Sequence, residues 1–151
     1  MNPAPRTMVT FKSTAFNTSE PKDSFINACC FGDDLCRWLM QQLQAQGIET
    51  AGEPGQEDFG WYFTFQAGGV EHCFVVGYQP GDDDEGAWIG QIERHVGFWR
   101  SLLGGRQHGI LPEATQAIHQ ALVSSDCIRA LRWHVERGAA ASHEDAGAEE
   151  P

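Results

Sequence analysis

Two thiols, Cys29 and Cys30, stand directly ahead of Phe31-Gly32-Asp33-Asp34, where a helix is expected to begin. The positive end of a helix lowers a thiol pKa and makes the sulfur a nucleophile. Asp33 and Asp34 oppose that shift. Thiol chemistry of the cysteine-protease kind also needs a histidine and an orienting acid or amide brought close by the fold. The competing reading is structural, because cysteine is readily buried as a small inert hydrophobe.

A second set of reactive types lies between Glu53 and Tyr62, where Glu53, Glu57 and Asp58 adjoin Trp61 and Tyr62. Carboxylates at a strand entrance can bind a cation or a basic side chain, or act as general acid and base. Equally, acids around Gly and Pro cap turns and face water. Taken as an enzyme, the chain offers Cys29, Cys30, Glu57, Asp58 and His72 as its catalytic set. His72 and Cys73 are adjacent on an expected strand, so they point to opposite faces and are poorly placed to share a metal. No Cys-x-x-Cys or His-x-x-x-His pair occurs, and His95, His108, His119 and His134 are scattered. No metal site and no cofactor signature is read from the sequence.

The segment from Arg94 to Gly109 carries Arg94, His95, Arg100, Arg106 and His108 without an acid, interleaved with Phe98, Trp99, Leu102 and Leu103. Trp and Arg are favoured anchors of protein interfaces. Trp99 and Arg100, with Glu57, Asp58 and Trp61, therefore form the binding set. The alternative is that the apolar residues fold over one end of a sheet while the arginines pair with Asp82–Glu85. A third arrangement is a small-ligand pocket lined by Trp61, Tyr78 and Trp88.

These residues need elements to hold them. Phe59, Trp61, Phe63 and Phe65 recur at every second position, which puts them on one buried face of a strand. Ala67-Gly68-Gly69 closes a hairpin to Val70–Tyr78, and Ala87–Arg94 supplies a third strand with Trp88 and Ile92 on its inner face. Met8–Phe11 reads as an edge strand, Ile48–Thr50 as a short one, and Leu131, Trp133 and Val135 alternate as the last. Leu35, Cys36, Leu39, Met40 and Leu43 share one helical arc that starts at Gly32-Asp33-Asp34, with an Asp at the cap, and stops at Gly47. Pro112 opens a second helix to about Val123, with Ala114, Ala117, Ile118, Ala121 and Leu122 inward. The order predicts an α+β fold: a two-layer sandwich, a mainly antiparallel sheet of about five strands with two helices packed on one face. Residues 1–6 are expected to be a flexible end, 7–136 one domain, and 137–151 a disordered acidic tail.

At 151 residues the chain has the length of one ordinary domain, and its 11% aromatic content fits a folded core rather than disorder. A formal charge of −11 repels phosphate backbones and anionic lipid, so neither nucleic acid nor a membrane is an expected partner. Four of the acids, Glu144, Asp145, Glu149 and Glu150, lie after Gly138. Five cysteines without framework spacing, no apolar leader and no long apolar run point to free thiols in a cytoplasmic protein.

Glu57-Asp58-Phe59-Gly60-Trp61, followed by an aromatic strand and a Gly-Gly hairpin, resembles a box found in small uncharacterised bacterial proteins with Glu-Asp-(Phe/Trp)-Gly-Trp. Cys29-Cys30-Phe31-Gly32-Asp33-Asp34 looks like part of the same pattern. The resemblance spans about residues 25–135 and implies a shared fold without an activity. The expectation for function is a non-enzymatic protein-binding module, an acidic inhibitor or immunity-type partner of another protein. A small hydrolase or thiol enzyme and a small-ligand-binding protein are the alternatives.

Overall fold

The aromatic run forms β3, Gly60–Ala67, in which Trp61, Phe63, Phe65 and Ala67 are buried while the residues between them are half-buried. A computed structural model describes residues 6–20, 22, 31–57, 60–81, 86–94, 110–135 and 147–151, with the Glu57 side chain excepted. Six strands form one antiparallel sheet in the order β2-β3-β4-β5-β1-β6. They are β1 Arg6–Lys12, β2 Gly55–Glu57, β3, β4 Val70–Gln79, β5 Ala87–Arg94 and β6 Arg129–Val135. The helices α1, Asp33–Ala45, and α2, Pro112–Val123, pack against each other and on the sheet. The fold is α+β, with the helical layer covering one face.

Register explains which face. Phe63 pairs with Phe74 and Phe74 with Ile92, so one row crosses three strands on the helix side. Trp61, Val76 and Gly90 form the next row, and Val9 of β1 pairs with both Gly90 and Trp133. Tyr78 and Trp88 are paired one row further along β4 and β5, their rings 5.2 Å apart. From the helices, Leu35, Leu39 and Leu43 of α1 and Ile118 and Leu122 of α2 are fully buried in the same cluster. The even-numbered side chains of β4 thus meet the helices, and Cys73, Val75, Gly77 and Gln79 belong to the other face.

Turn chemistry fixes this register. Gly68 and Gly69 both have positive φ, as the two-residue hairpin turn between β3 and β4 requires. Gly60 sits so close to β4 that a Cβ would stand 2.2 Å from the Val76 carbonyl oxygen. At the end of α1, Ile48 N–H donates to the Leu43 carbonyl and Gly47 N–H to that of Gln44, at 3.0 and 2.9 Å. With φ +85° at Gly47 this is the glycine stop expected there.

Four expectations need correction. β1 is not an edge strand, because β5 and β6 flank it. The short strand falls at Gly55–Glu57 instead of Ile48–Thr50, from which only Thr50 makes an isolated bridge, to Phe65. The N-cap of α1 is Gly32 without a side-chain cap, while Asp33 and Asp34 occupy the first turn. Residues 147–151 do not hang free: Ala148 bridges to Trp133 on β6. The expected disorder of 137–146 and the expected flexibility of 1–5 lie outside the described residues, while Arg6, placed in the same flexible end, begins β1.

Gly60→Ala should therefore destabilise the protein by at least about 1–3 kcal/mol, because the obstacle is main chain of the neighbouring strand and cannot rotate away. Chemical denaturation with an unchanged m-value is the check; a shift of a few tenths would show that β3 and β4 can part at no cost.

Candidate functional site

The reactive side chains identified in the sequence are largely taken up by the architecture. His72 is 0% exposed and stacked 5.8 Å from the Phe65 ring. Its Nδ1 lies 3.0 Å from the Val70 carbonyl oxygen, and Leu111 N–H donates to its Nε2 at 3.1 Å. Only the neutral ring protonated at Nδ1 satisfies both partners. Burial pushes the His72 pKa down, Arg94 adds to this, and the Val70 carbonyl and Glu113 only partly oppose it. Leu111 is the N-cap of α2. His72 thereby pins the start of that helix to β4.

His119 has a comparable role: its Nδ1 accepts the indole N–H of Trp133 at 3.1 Å in the interior, tying α2 to β6. Asp33 is 2% exposed and receives Lys22 Nζ at 2.7 Å and Arg37 Nη1 at 3.2 Å, with Glu53 3.5 Å beyond Arg37 Nε. Burial raises its carboxyl pKa, but the Lys22 and Arg37 cations and a main-chain hydrogen bond outweigh this and hold it below the ordinary value. Asp34 accepts Asn17 N–H at 2.8 Å. The acids at the start of α1 thus fasten the 17–22 segment to the helix. Cys36 is buried beside them, and desolvation first, then the Asp33 charge, raises its thiol pKa far out of the nucleophilic range.

The catalytic set is not assembled by what is described. Glu57 pairs with Gly60 and His72 with Phe65, five residues further along β3. At about 3.3 Å per residue their backbones are roughly 16 Å apart, well beyond hydrogen-bond reach. Cys29, Cys30, Asp58, Trp99 and Arg100 lie outside the described residues, as does the side chain of Glu57. Among the described residues no three His, Cys, Asp or Glu side chains converge in a way that could hold a metal ion. Of the binding set, Trp61 is 4% exposed and belongs to the core. Trp88 is fully buried, so Trp61 and Trp88 belong to the core, while Tyr78 packs against Trp88 and Phe31 and also lines a cavity.

A cavity does exist on the opposite side of the sheet. It measures about 340 Å³ and is lined by Val75, Gly77, Tyr78, Gln79, Ile89, Gln91 and Glu93. Apart from Tyr78, these are the odd-numbered positions of β4 and β5, which the register turns away from both helices. Val75 and Ile89 give it an apolar floor, Gly77 contributes no side chain, and Gln79, Gln91 and Glu93 bring two carboxamides and a carboxylate. Volume and composition fall at the lower end of small-ligand pockets and suit a single partner side chain. The period-2 alternation that located the core also contained this site, as Val75 and Ile89 are apolar at positions turned away from α1 and α2. A glycine inside a strand was the second available signal.

No protein-family model, curated protein or solved structure matches the chain. The geometry alone carries the functional reading.

The His72 contacts set a pH dependence. A depressed native pKa means that the unfolded chain takes up a proton first as pH falls, so this contribution to stability is complete above the ordinary value of 6.5 and declines as pH drops through the native pKa. Denaturation midpoints measured from pH 7.5 to 5 should fall more steeply for the wild type than for His72→Gln, whose amide keeps an acceptor for Leu111. Parallel curves would show that His72 does not couple the helix start to pH.

Proposed function

We propose that this chain is a non-enzymatic binding module of a bacterial cytoplasmic protein, and that it receives a side chain of a protein partner in the cavity on the side of β4 and β5 turned away from α1 and α2. The observation that supports this reading is the cavity itself: an apolar floor of Val75 and Ile89 edged by Gln79, Gln91 and Glu93. It is held on two central strands of the sheet and not on loops. Rigid placement of a few polar groups around an apolar surface gives orientation at low entropic cost.

The chemistry of the partner follows from charge. Glu93 and the −11 of the chain favour a basic surface, and an apolar or aromatic residue beside Lys or Arg fits the cavity. An acidic inhibitor or immunity-type protein acts in this manner, by meeting the charge pattern of its target. The cytoplasmic setting rests on the cysteine pattern. Cys36, Cys73 and Cys127 are free thiols, the first two buried, and no described helix is long and apolar enough to cross a membrane.

Short peptides carrying Phe or Leu next to Lys or Arg are suitable probes. In a ¹H–¹⁵N NMR titration they should shift the amides of Val75, Gly77, Ile89, Gln91 and Glu93 at sub-millimolar to millimolar concentration, about the range of a single anchoring contact. Ile89→Arg should abolish the shifts with the fold intact. Shifts scattered over the surface, or unchanged in Ile89→Arg, would remove the cavity as the binding site.

A further inference from the structure

The edge of the sheet at β6 is already occupied by part of the same chain. Trp133 N–H donates to the Ala148 carbonyl at 2.7 Å, and Ala148 N–H donates to the Trp133 carbonyl at 2.8 Å. This is the reciprocal pairing of an antiparallel ladder, and it uses the side of β6 that faces away from β1. Gly147 makes the approach possible: it has φ +82°, and a Cβ there would stand 2.7 Å from His134 Cε1 and 2.9 Å from Arg132 Cβ. Glu149 then lies 3.8 Å from Arg132 Nη1.

An exposed strand edge is a template for another extended chain. Here β6 spans seven residues, yet the seated segment takes the main-chain pair of one of them. Among the described residues the seat rests on two main-chain hydrogen bonds and an exposed ion pair, of which the charge pair counts for little. The covalent connection to β6 supplies the rest, because it makes the pairing intramolecular. β6 also carries Arg129 and Arg132 on a chain of net charge −11, and the segment seated on it reads Gly-Ala-Glu-Glu.

We infer that the outer edge of β6 is a docking site for an extended acidic peptide of a partner protein, and that residues 147–150 occupy it as an intramolecular placeholder. The partner adds a strand in the position now held by Ala148, with main-chain hydrogen bonds giving affinity and Arg132, which now meets Glu149, favouring an acidic side chain. This site is distinct from the cavity on β4 and β5 and does not depend on it. A partner has to displace the placeholder, so the edge is shielded until such a peptide is abundant or local.

Amide exchange at Trp133 in the full chain tests this. Gly147→Val introduces both a disfavoured φ and a clash, and Ala148→Pro removes the N–H that bonds to the Trp133 carbonyl. Each should raise the Trp133 exchange rate by about tenfold or more, while Val9 and Phe74 amides stay protected. Acetyl-Gly-Ala-Glu-Glu-amide at millimolar concentration should restore protection in both variants, and acetyl-Gly-Ala-Lys-Lys-amide should not. The inference is overturned if neither variant exposes Trp133, if the acidic peptide restores nothing, or if the lysine peptide works equally well. Concentration-dependent Trp133 protection in the wild type would also overturn it, by showing that the segment seats on a second copy.

Discussion

The buried rings of β3, β4 and β5 have to leave the sheet on one side, the side that α1 and α2 cover among the described residues. Trp61, Phe63 and Phe65 on β3, Phe74 on β4 and Trp88 on β5 obey this and are almost completely buried. Each such ring removes about 150–250 Å² from water, worth roughly 4–6 kcal/mol gross at about 25 cal/mol per Å². A ladder hydrogen bond contributes about 1 kcal/mol net. A one-residue slip of β3 would turn its whole aromatic row outward for the sake of hydrogen bonds that any register can make. One-sided burial therefore decides register, and the Gly68-Gly69 turn and the bare Gly60 only make that register attainable.

The same constraint determines the fate of polar groups on the buried side. A histidine or indole there gains from a partner within the fold, since an unmet hydrogen bond in the interior costs more than a made one gains, and the indole N–H of Trp88 is left without one among the described residues. His72 finds Val70 and Leu111, and Trp133 finds His119. Both bonds join a strand to α2, so residues that look like candidate acids and bases in the sequence serve to dock the helix layer. The opposite side, freed from this duty, keeps the cavity of Val75, Gly77 and Ile89. Core and candidate site are the even and odd positions of the same strands.

How far this could be read from the sequence depends on range. Local periodicity placed α1, α2 and the β3-β4-β5 meander, including the inward set Leu35, Cys36, Leu39, Met40 and Leu43, all of which are buried. At position 60 the Val76 carbonyl approaches too closely for any side chain. The insertion of β1 between β5 and β6 was not legible, because it depends on pairings such as Val9 with Trp133 that no local pattern encodes. Similarly, Asp33 and Asp34 have the composition of a cap, yet the chain enters α1 through Gly32 at φ +140° and uses both acids to hold the 17–22 segment. The site was missed for a different reason. Trp and acidic clusters draw attention to chemistry, whereas the cavity is built from Val, Gly, Ile and Gln, whose meaning emerges only when register shows which face they share.

The two faces of this sheet are chemically separate, one covered by α1 and α2 and one that carries the cavity. Ile89 and Ile92 lie three residues apart on β5 and report on opposite faces, Ile92 fully buried and Ile89 half-buried beside the cavity. Relaxation of their methyl protons by a neutral paramagnetic solute compares the two directly. The account predicts strong relaxation of Ile89 and almost none of Ile92. Equal protection of both would mean that the supposed ligand face is sealed, and the reverse order would mean that β5 sits in another register.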